Sequence, residues 1–322
     1  MATCRATGWW IAALAAALTC VPPAAQAAER TVIPFDINRF DHMVVEMVVN
    51  GTAPTTAVID TAATFAMVDS NVAHRSGVAP PGTDAQMVNI LGVNGDRDFS
   101  VVRLDQIRTG NIHLLGIDAA YNDHIEIPGA ASNVLPASAF RGDVLEFDFE
   151  ARTISVYDGK PEVTLSRYAN ALAYTVEDGL IFIDVKINGK KGRALIDTGA
   201  SISYVNSTFA KRASMRRNED LTHRLLGATG ESETAWITTV RRVRLADFFL
   251  ERPNLLVSDP VLLERLGLSG EPVMVLGLDY LSKFRLQFDR PSQRLILSVP
   301  GNQVGGVEME LQARATRLPQ AY

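Results

Sequence analysis

The chain has little cysteine, little histidine and little charge imbalance, and each shortage closes a class of function. Both cysteines, Cys4 and Cys20, lie within the first 27 of 322 residues. If that stretch is removed, no disulfide and no thiol nucleophile remain, and the exported chain must stand on its hydrophobic core. The five histidines, His42, His74, His113, His124 and His223, lack a metal spacing such as H-E-x-x-H, so no metal site is indicated. There is no G-x-S-x-G, and Gly227-Ala228-Thr229-Gly230 lacks the lysine of a phosphate loop. A formal net charge of −5 gives no pull toward nucleic acid or an anionic membrane surface. With 47% hydrophobic and 21% charged residues, the composition is that of a globular protein rather than a disordered one.

Long apolar runs are also scarce, and the one present is at the start. Arg5 supplies a basic n-region, Trp9 to Val21 an apolar h-region, and Ala25-Gln26-Ala27 a small-residue cleavage signal. This reads as a secretory signal over residues 1–27, cut after about Ala27, with a secreted or periplasmic destination. A retained anchor is the alternative, although the run is short for a membrane span. Thr19 directly before Cys20 makes a poor lipoprotein signal.

What is present is a repeat. Leu195-Ile196-Asp197-Thr198-Gly199-Ala200-Ser201 is answered 137 residues earlier by Val58-Ile59-Asp60-Thr61-Ala62-Ala63-Thr64. Each reads as a buried strand delivering a carboxylate to a tight turn, which is unfavourable unless the acid is hydrogen-bonded or functional. Before each, an alternating run (Met43 to Val49; Leu180 to Ile187) meets Asn-Gly, a strong hairpin signal. After each comes a helix N-cap, Asp69 or Asn206, and the first helix stops near Gly77. Leu91-Gly92-Val93-Asn94-Gly95 then matches Leu226-Gly227-Ala228-Thr229-Gly230 as paired hairpin tips, with strands at Phe99 to Leu104 and Trp236 to Val243. The last block aligns at an offset of 141: Val134-Leu135-Pro136 with Val275-Leu276-Gly277, and Leu145 to Asp148 with Leu286 to Asp289. The reading is a mainly β chain of two homologous domains, residues 28–157 and 158–300, with a tail from 301 to 322 in which Val307 to Leu311 adds a strand.

Two such carboxylates related by a pseudo-two-fold axis would face each other. Like charges a few ångströms apart cannot both ionise cheaply, so the pair would share a proton. The ionised member can take a proton from water while the protonated one donates to a carbonyl oxygen, without metal or cofactor.

On Asp197-Thr198-Gly199-Ala200-Ser201, Val275-Leu276-Gly277 and the internal repeat, the chain resembles bacterial aspartic proteases of the retropepsin-like and pepsin-like superfamily, over about 270 residues. The resemblance implies two acid-protease β-barrel domains with a cleft between them and Asp60 and Asp197 as the catalytic dyad. It also implies that Thr61 and Thr198 hydrogen-bond across the interface, with Gly199 in support. The tips at Gly92, Val93, Asn94, Gly95 and Gly227, Ala228, Thr229, Gly230 stand where the family places substrate-covering flaps. The partner implied is a peptide or protein substrate; the oligomeric state stays open, with a monomer favoured.

The first half departs twice, with Ala62 where the family has glycine and Pro136 where the second half has Gly277. If position 62 needs a positive φ, alanine there costs about 1–2 kcal/mol. Three readings therefore stand side by side: an aspartic endopeptidase, a peptide-binding pseudoprotease, and a homodimer using Asp197 from each chain. The basic runs Arg212, Arg216, Arg217 and Arg241, Arg242, Arg244 read as solvated faces, with Arg242 and Arg244 on one side of a strand.

Overall fold

The computed structural model describes residues 30–92, 95–123, 132–162, 169–216, 218–226 and 232–299. The expected signal segment, Val93, Asn94, His124, Arg217, Gly227 to Gly230 and the strand expected at Val307 to Leu311 lie outside these. No helix among the described residues is long and apolar enough to cross a membrane.

The first half runs β1 (Thr31–Ile37), β2 (Met43–Val49), β3 (Thr55–Asp60), β4 (Ala66–Asp69), α1 (Ser70–Arg75), β5 (Met87–Gly92), β6 (Gly95–Thr109) and β7 (Ile112–Asn122). It ends with β8 (Val134–Pro136), a 3-10 turn (Ala137–Ala139), β9 (Val144–Asp148) and β10 (Thr153–Tyr157). The second half repeats the plan from β11 (Ala169–Glu177), β12 (Leu180–Ile187), β13 (Lys190–Ile196), β14 (Tyr204–Val205) and α2 (Ser207–Arg212). It continues through β15 (Asn218–Leu226), β16 (Ser232–Thr239), β17 (Arg242–Leu245), β18 (Phe248–Glu251), β19 (Asn254–Val257) and α3 (Val261–Arg265). Last come β20 (Val273–Leu276), α4 (Leu278–Leu281), β21 (Arg285–Asp289) and β22 (Arg294–Ser298).

The chain is mainly β, as its alternating runs and Asn-Gly turns require. Asn50 and Gly51 sit at φ 50° and 73°, Asn188 and Gly189 at 51° and 81°, a left-handed pair that residues other than Asn and Gly enter at a cost. Each asparagine also clamps its hairpin: Asn50 Oδ1 accepts from Gln106 N–H at 3.1 Å, and Asn188 Oδ1 from Arg241 N–H at 2.8 Å. That second clamp corrects one expectation. The run Trp236 to Val243 is two strands: Val240 N–H still reaches the Pro253 carbonyl in register, but Arg241 N–H leaves the ladder for Asn188 Oδ1, and the facing Arg252 has φ 51°. Both helix starts are capped as read, Asp69 accepting from Asn71 and Val72 N–H and Asn206 from Phe209 N–H.

The halves are joined by one antiparallel sheet in the order β1, β10, β9, β21, β22, β11. Its centre is self-complementary: Leu286 lies opposite Phe147 and Phe288 opposite Leu145, so the pseudo-two-fold passes between β9 and β21. The rings of Phe147 and Phe288 meet edge to face at 6.0 Å there, and a shared core of buried residues extends from them into both halves. On the sheet's other side, buried Glu146 pairs with Arg30 and Arg285, and Glu162 closes the network through the same two arginines.

Candidate active site

Each half brings its aspartate to the interface by the same device. The apolar strand β3 pairs in parallel with β8, Ile59 opposite Leu135 and Asp60 opposite Pro136, while β13 pairs in parallel with β20, Ile196 opposite Leu276. With Val58, Ile59, Leu195 and Ile196 buried, the strand cannot slide, and the next residue is delivered to the boundary between the halves.

Immediately beyond, the two threonines lock the halves together. Thr61 N–H donates to Thr198 Oγ1 at 3.0 Å, and Thr198 N–H to Thr61 Oγ1 at 3.0 Å. Each hydroxyl in turn donates across the axis, Thr61 to the Ile196 carbonyl at 2.8 Å and Thr198 to the Ile59 carbonyl at 2.7 Å. All four groups are buried, so none has water as an alternative partner.

Above this lock the carboxyls of Asp60 and Asp197 are hydrogen-bonded to each other. Burial, and then the Asp60 charge, push Asp197 up to about 8. Burial raises Asp60 as well, but N–H groups of Ala62, Ala63 and Gly199 oppose the rise. The N–H groups of Ala62 at 2.6 Å and Ala63 at 3.1 Å reach Asp60 Oδ1, and those of Gly199 and Ala200, both at 2.9 Å, reach Asp197 Oδ1. The Gly199 N–H, bonded to Asp197 Oδ1, also lies near enough to Asp60 to favour its charged form, and Ala62 has no matching effect on Asp197, so the negative charge is better held on Asp60.

The glycine at 199 has a steric cause. A Cβ built on it would lie 2.6 Å from Asp60 Cγ and nearer still to Oδ2. Neither Gly199 nor Ala62 has a positive φ, which corrects the expectation of backbone strain at position 62: what separates them is how closely each peptide approaches the opposite carboxyl.

Two contributors were not legible in the sequence. His42, one of the histidines without metal spacing, is bonded through Nδ1 to the Gly199 carbonyl at 3.0 Å, and burial holds its pKa below the usual histidine value. The same peptide unit carries Ala200 N–H, so one peptide links His42 of the first half to Asp197 of the second. Asp279 is the other. It accepts from Ser203 N–H at 3.0 Å and from the Ser203 hydroxyl, which itself accepts from Gly277 N–H at 2.8 Å. Burial raises Asp279 to about 6, against the two Ser203 donors. Its spacing from Asp197 carries no motif, and only the fold brings helix α4 behind the turn.

Of the hairpin tips, Gly92 and Gly95 face each other across the β5–β6 turn, while Val93, Asn94 and the whole Gly227 to Gly230 tip lie outside the described residues. The first hairpin reaches the other half: Asp96, beside its tip, pairs with Arg265 of α3 at 3.0 Å, and Asn89 holds Asp96 and Asp98 in place. Phe99 is buried beneath it, among Phe65, Val88, Ile90 and Val134. Among the described residues no cluster of His, Cys, Asp and Glu is placed to hold a metal ion.

A model of the aspartyl protease family matches residues 45–139 and 183–280, one stretch in each half and together more than half of the chain. No curated protein matches the chain.

Proposed function

The chain belongs to the aspartyl protease family, and from that membership we propose that it is an exported, single-chain aspartic endopeptidase. Asp60 and Asp197 share one proton and hydrolyse peptide bonds with an activated water. The observation that carries this reading is the reciprocal threonine lock within one chain, which brings the two strand-end aspartates together at the boundary between the halves. On this reading the mature enzyme begins after about Ala27, its domains are residues 28–157 and 158–300, and it works as a monomer in the periplasm or outside the cell.

The donor asymmetry assigns the roles. Asp60, whose charged form the Gly199 N–H also favours, is the carboxylate that takes a proton from water as the oxygen attacks the scissile carbonyl carbon. Asp197 gives its proton to the carbonyl oxygen, leaving a neutral tetrahedral diol. Asp60 then passes its new proton to the amide nitrogen, the C–N bond breaks as the carbonyl re-forms, and the diol hydroxyl that becomes that carbonyl returns its proton to Asp197, releasing an amine and a carboxylic acid. Protons balance over the cycle and no covalent intermediate forms. An extended peptide is held along the cleft by strand-like hydrogen bonds under the hairpins. Because Asp197 is raised to about 8, the singly protonated pair persists through neutral pH, and activity declines as the pH rises through that value.

The test is cleavage of a peptide library by wild type, Asp60→Asn and Asp197→Asn from acid to alkaline pH. Activity in wild type and loss in both variants is the expected result. Activity surviving in Asp60→Asn would move the dyad to two copies of Asp197 in a homodimer. A folded protein that cleaves nothing at any pH would leave the peptide-binding reading, which Ala62 and Pro136 favour.

A further inference from the structure

Away from the dyad, the second half carries a feature that the first half lacks. Three of the chain's six lysines, Lys186, Lys190 and Lys191, fall in the single hairpin around Asn188-Gly189. The equivalent positions around Asn50-Gly51 are Val48, Thr52 and Ala53, so neither the fold nor the repeat calls for cations there.

Strand register sets these charges abreast. Lys186 lies directly opposite Lys191 on β13 and directly opposite Arg244 on β17, so three cations stand in a row across three neighbouring strands, all on the outer face. Like charges placed opposite each other weaken a sheet. Other cations of this face have acids of their own: Arg193 pairs with Glu177 and Glu271, and Arg242 with Glu251. Arg244 is tied back to its own turn, through the Ala246 carbonyl and Asp247 at 3.0 Å. Among the described residues, Lys186 and Lys191 have no carboxylate within ion-pair distance.

The row is also concave. Lys186, Lys191 and Arg244 line a pocket of about 140 Å³ together with Leu172, Asp184 and Ala246. Lys186 is half-buried in it, while Asp184, the acid in its wall, is set opposite Arg193 in the register. That volume holds a few water-sized groups, enough for one tetrahedral oxyanion. A guanidinium fixed by its own turn beside two ammonium groups without carboxylate partners suits the oxygens of such an anion.

We propose that the row Arg244–Lys186–Lys191 is a binding site for a phosphate-type oxyanion, either free or carried on a lipid headgroup. Its occupation removes the cross-strand repulsion and stabilises the second half from outside the cleft.

The test follows thermal unfolding and calorimetric binding of the purified protein with sodium phosphate, against sodium chloride at matched ionic strength. The probe proteins are wild type, Lys186→Gln and Lys191→Ala, the last installing the residue of the first half at an exposed position. Phosphate is expected to raise the wild-type midpoint saturably while chloride does not, and each variant is expected to bind phosphate about tenfold more weakly. Without phosphate, Lys186→Gln should melt no lower than wild type, since it relieves repulsion. An equal response to chloride, or unchanged phosphate affinity in both variants, overturns the site. Sedimentation with phosphatidylglycerol or phosphatidylcholine vesicles identifies the source. Retention on the anionic vesicles alone, reversed by phosphate and absent in the variants, assigns the headgroup. Phosphate binding without retention assigns the free anion. None of these readouts depends on peptidase activity.

Discussion

The turns after Asp60 and Asp197 come from one repeat, yet they are held by different means. The second is braced from behind by its own half: Leu278 N–H donates to the Ala200 carbonyl at 2.8 Å, Asp279 N–H to that of Ser201 at 3.2 Å, and the Asp279–Ser203–Gly277 chain closes the loop. Gly277 makes this approach possible, since a Cβ there would lie 2.8 Å from the Ala200 oxygen. In the first half Pro136 has neither the N–H nor the room, and no backbone bond joins Ala62–Phe65 to Ala137–Ala139 among the described residues. The first turn depends on the threonine lock, and so on the second half. A duplicated site thus needs one rigid copy, while the other can drift in sequence as long as the rigid copy holds it in place.

The most forceful way to test this comparison is to remove each carboxylate. Asp60→Asn and Asp197→Asn should each lower kcat by about 10⁴-fold or more if the pair works as a unit. A large effect at one position alone would mean that the halves are not partners in catalysis. Asp197→Asn carries a second signature. The folded acid holds its proton from about the unfolded carboxylate value, near pH 4, up to about 8, so the folded state binds more protons across that window and stability falls as pH rises through it. Asparagine removes that loss, so the variant should melt above wild type at neutral pH, with the difference closing below about pH 4. Thermal unfolding at several pH values reads it directly.

Gly199→Ala is the next largest. Its Cβ must displace the Asp60 carboxyl, and a shift near 1 Å is expected to reduce kcat by about 10²-fold with little change in KM. The mirrored change, Ala62→Gly, should do the opposite of harm. It frees that peptide to approach Asp197, and an added N–H donor there would move the alkaline limb of the pH profile to lower pH. An unchanged limb would mean that the Ala62 methyl is not what makes the dyad asymmetric.

Thr61→Ala and Thr198→Ala each strand a buried N–H across the axis, and each should destabilise the fold by about 1–3 kcal/mol in chemical denaturation. If the first turn leans on the second, Thr198→Ala should reduce activity more than Thr61→Ala, because it strips Thr61 N–H of its acceptor. The smallest expected effect is at the hairpin. The Asp96–Arg265 pair is largely exposed, so Asp96→Asn should change KM only a few-fold and should abolish the salt dependence of KM.

Much of this was legible before any coordinates. The Asn-Gly turns, the caps at Asp69 and Asn206, the strands ending on Asp60 and Asp197 and the register of the final block are local patterns, and local patterns repeat when a sequence is duplicated. The break at Arg241 was not legible, because it depends on Asn188, distant in sequence, taking the Arg241 N–H out of the ladder. Nor was the role of position 62. A glycine in a turn suggests backbone freedom, whereas here the cause is the approach of a carboxyl from the other half.

By itself the sequence determined that this chain is two β halves, each presenting an aspartate at the end of an apolar strand, because hydrophobic period and turn chemistry act over a few residues. Only the tertiary structure decided which groups those aspartates meet. The close approach of Gly199 to the Asp60 carboxyl, the His42 bond to the Gly199 carbonyl, and Asp279 behind the turn all join residues distant in sequence. Proton affinity at a buried carboxyl is set by donors and charges within a few ångströms, whichever part of the chain supplies them.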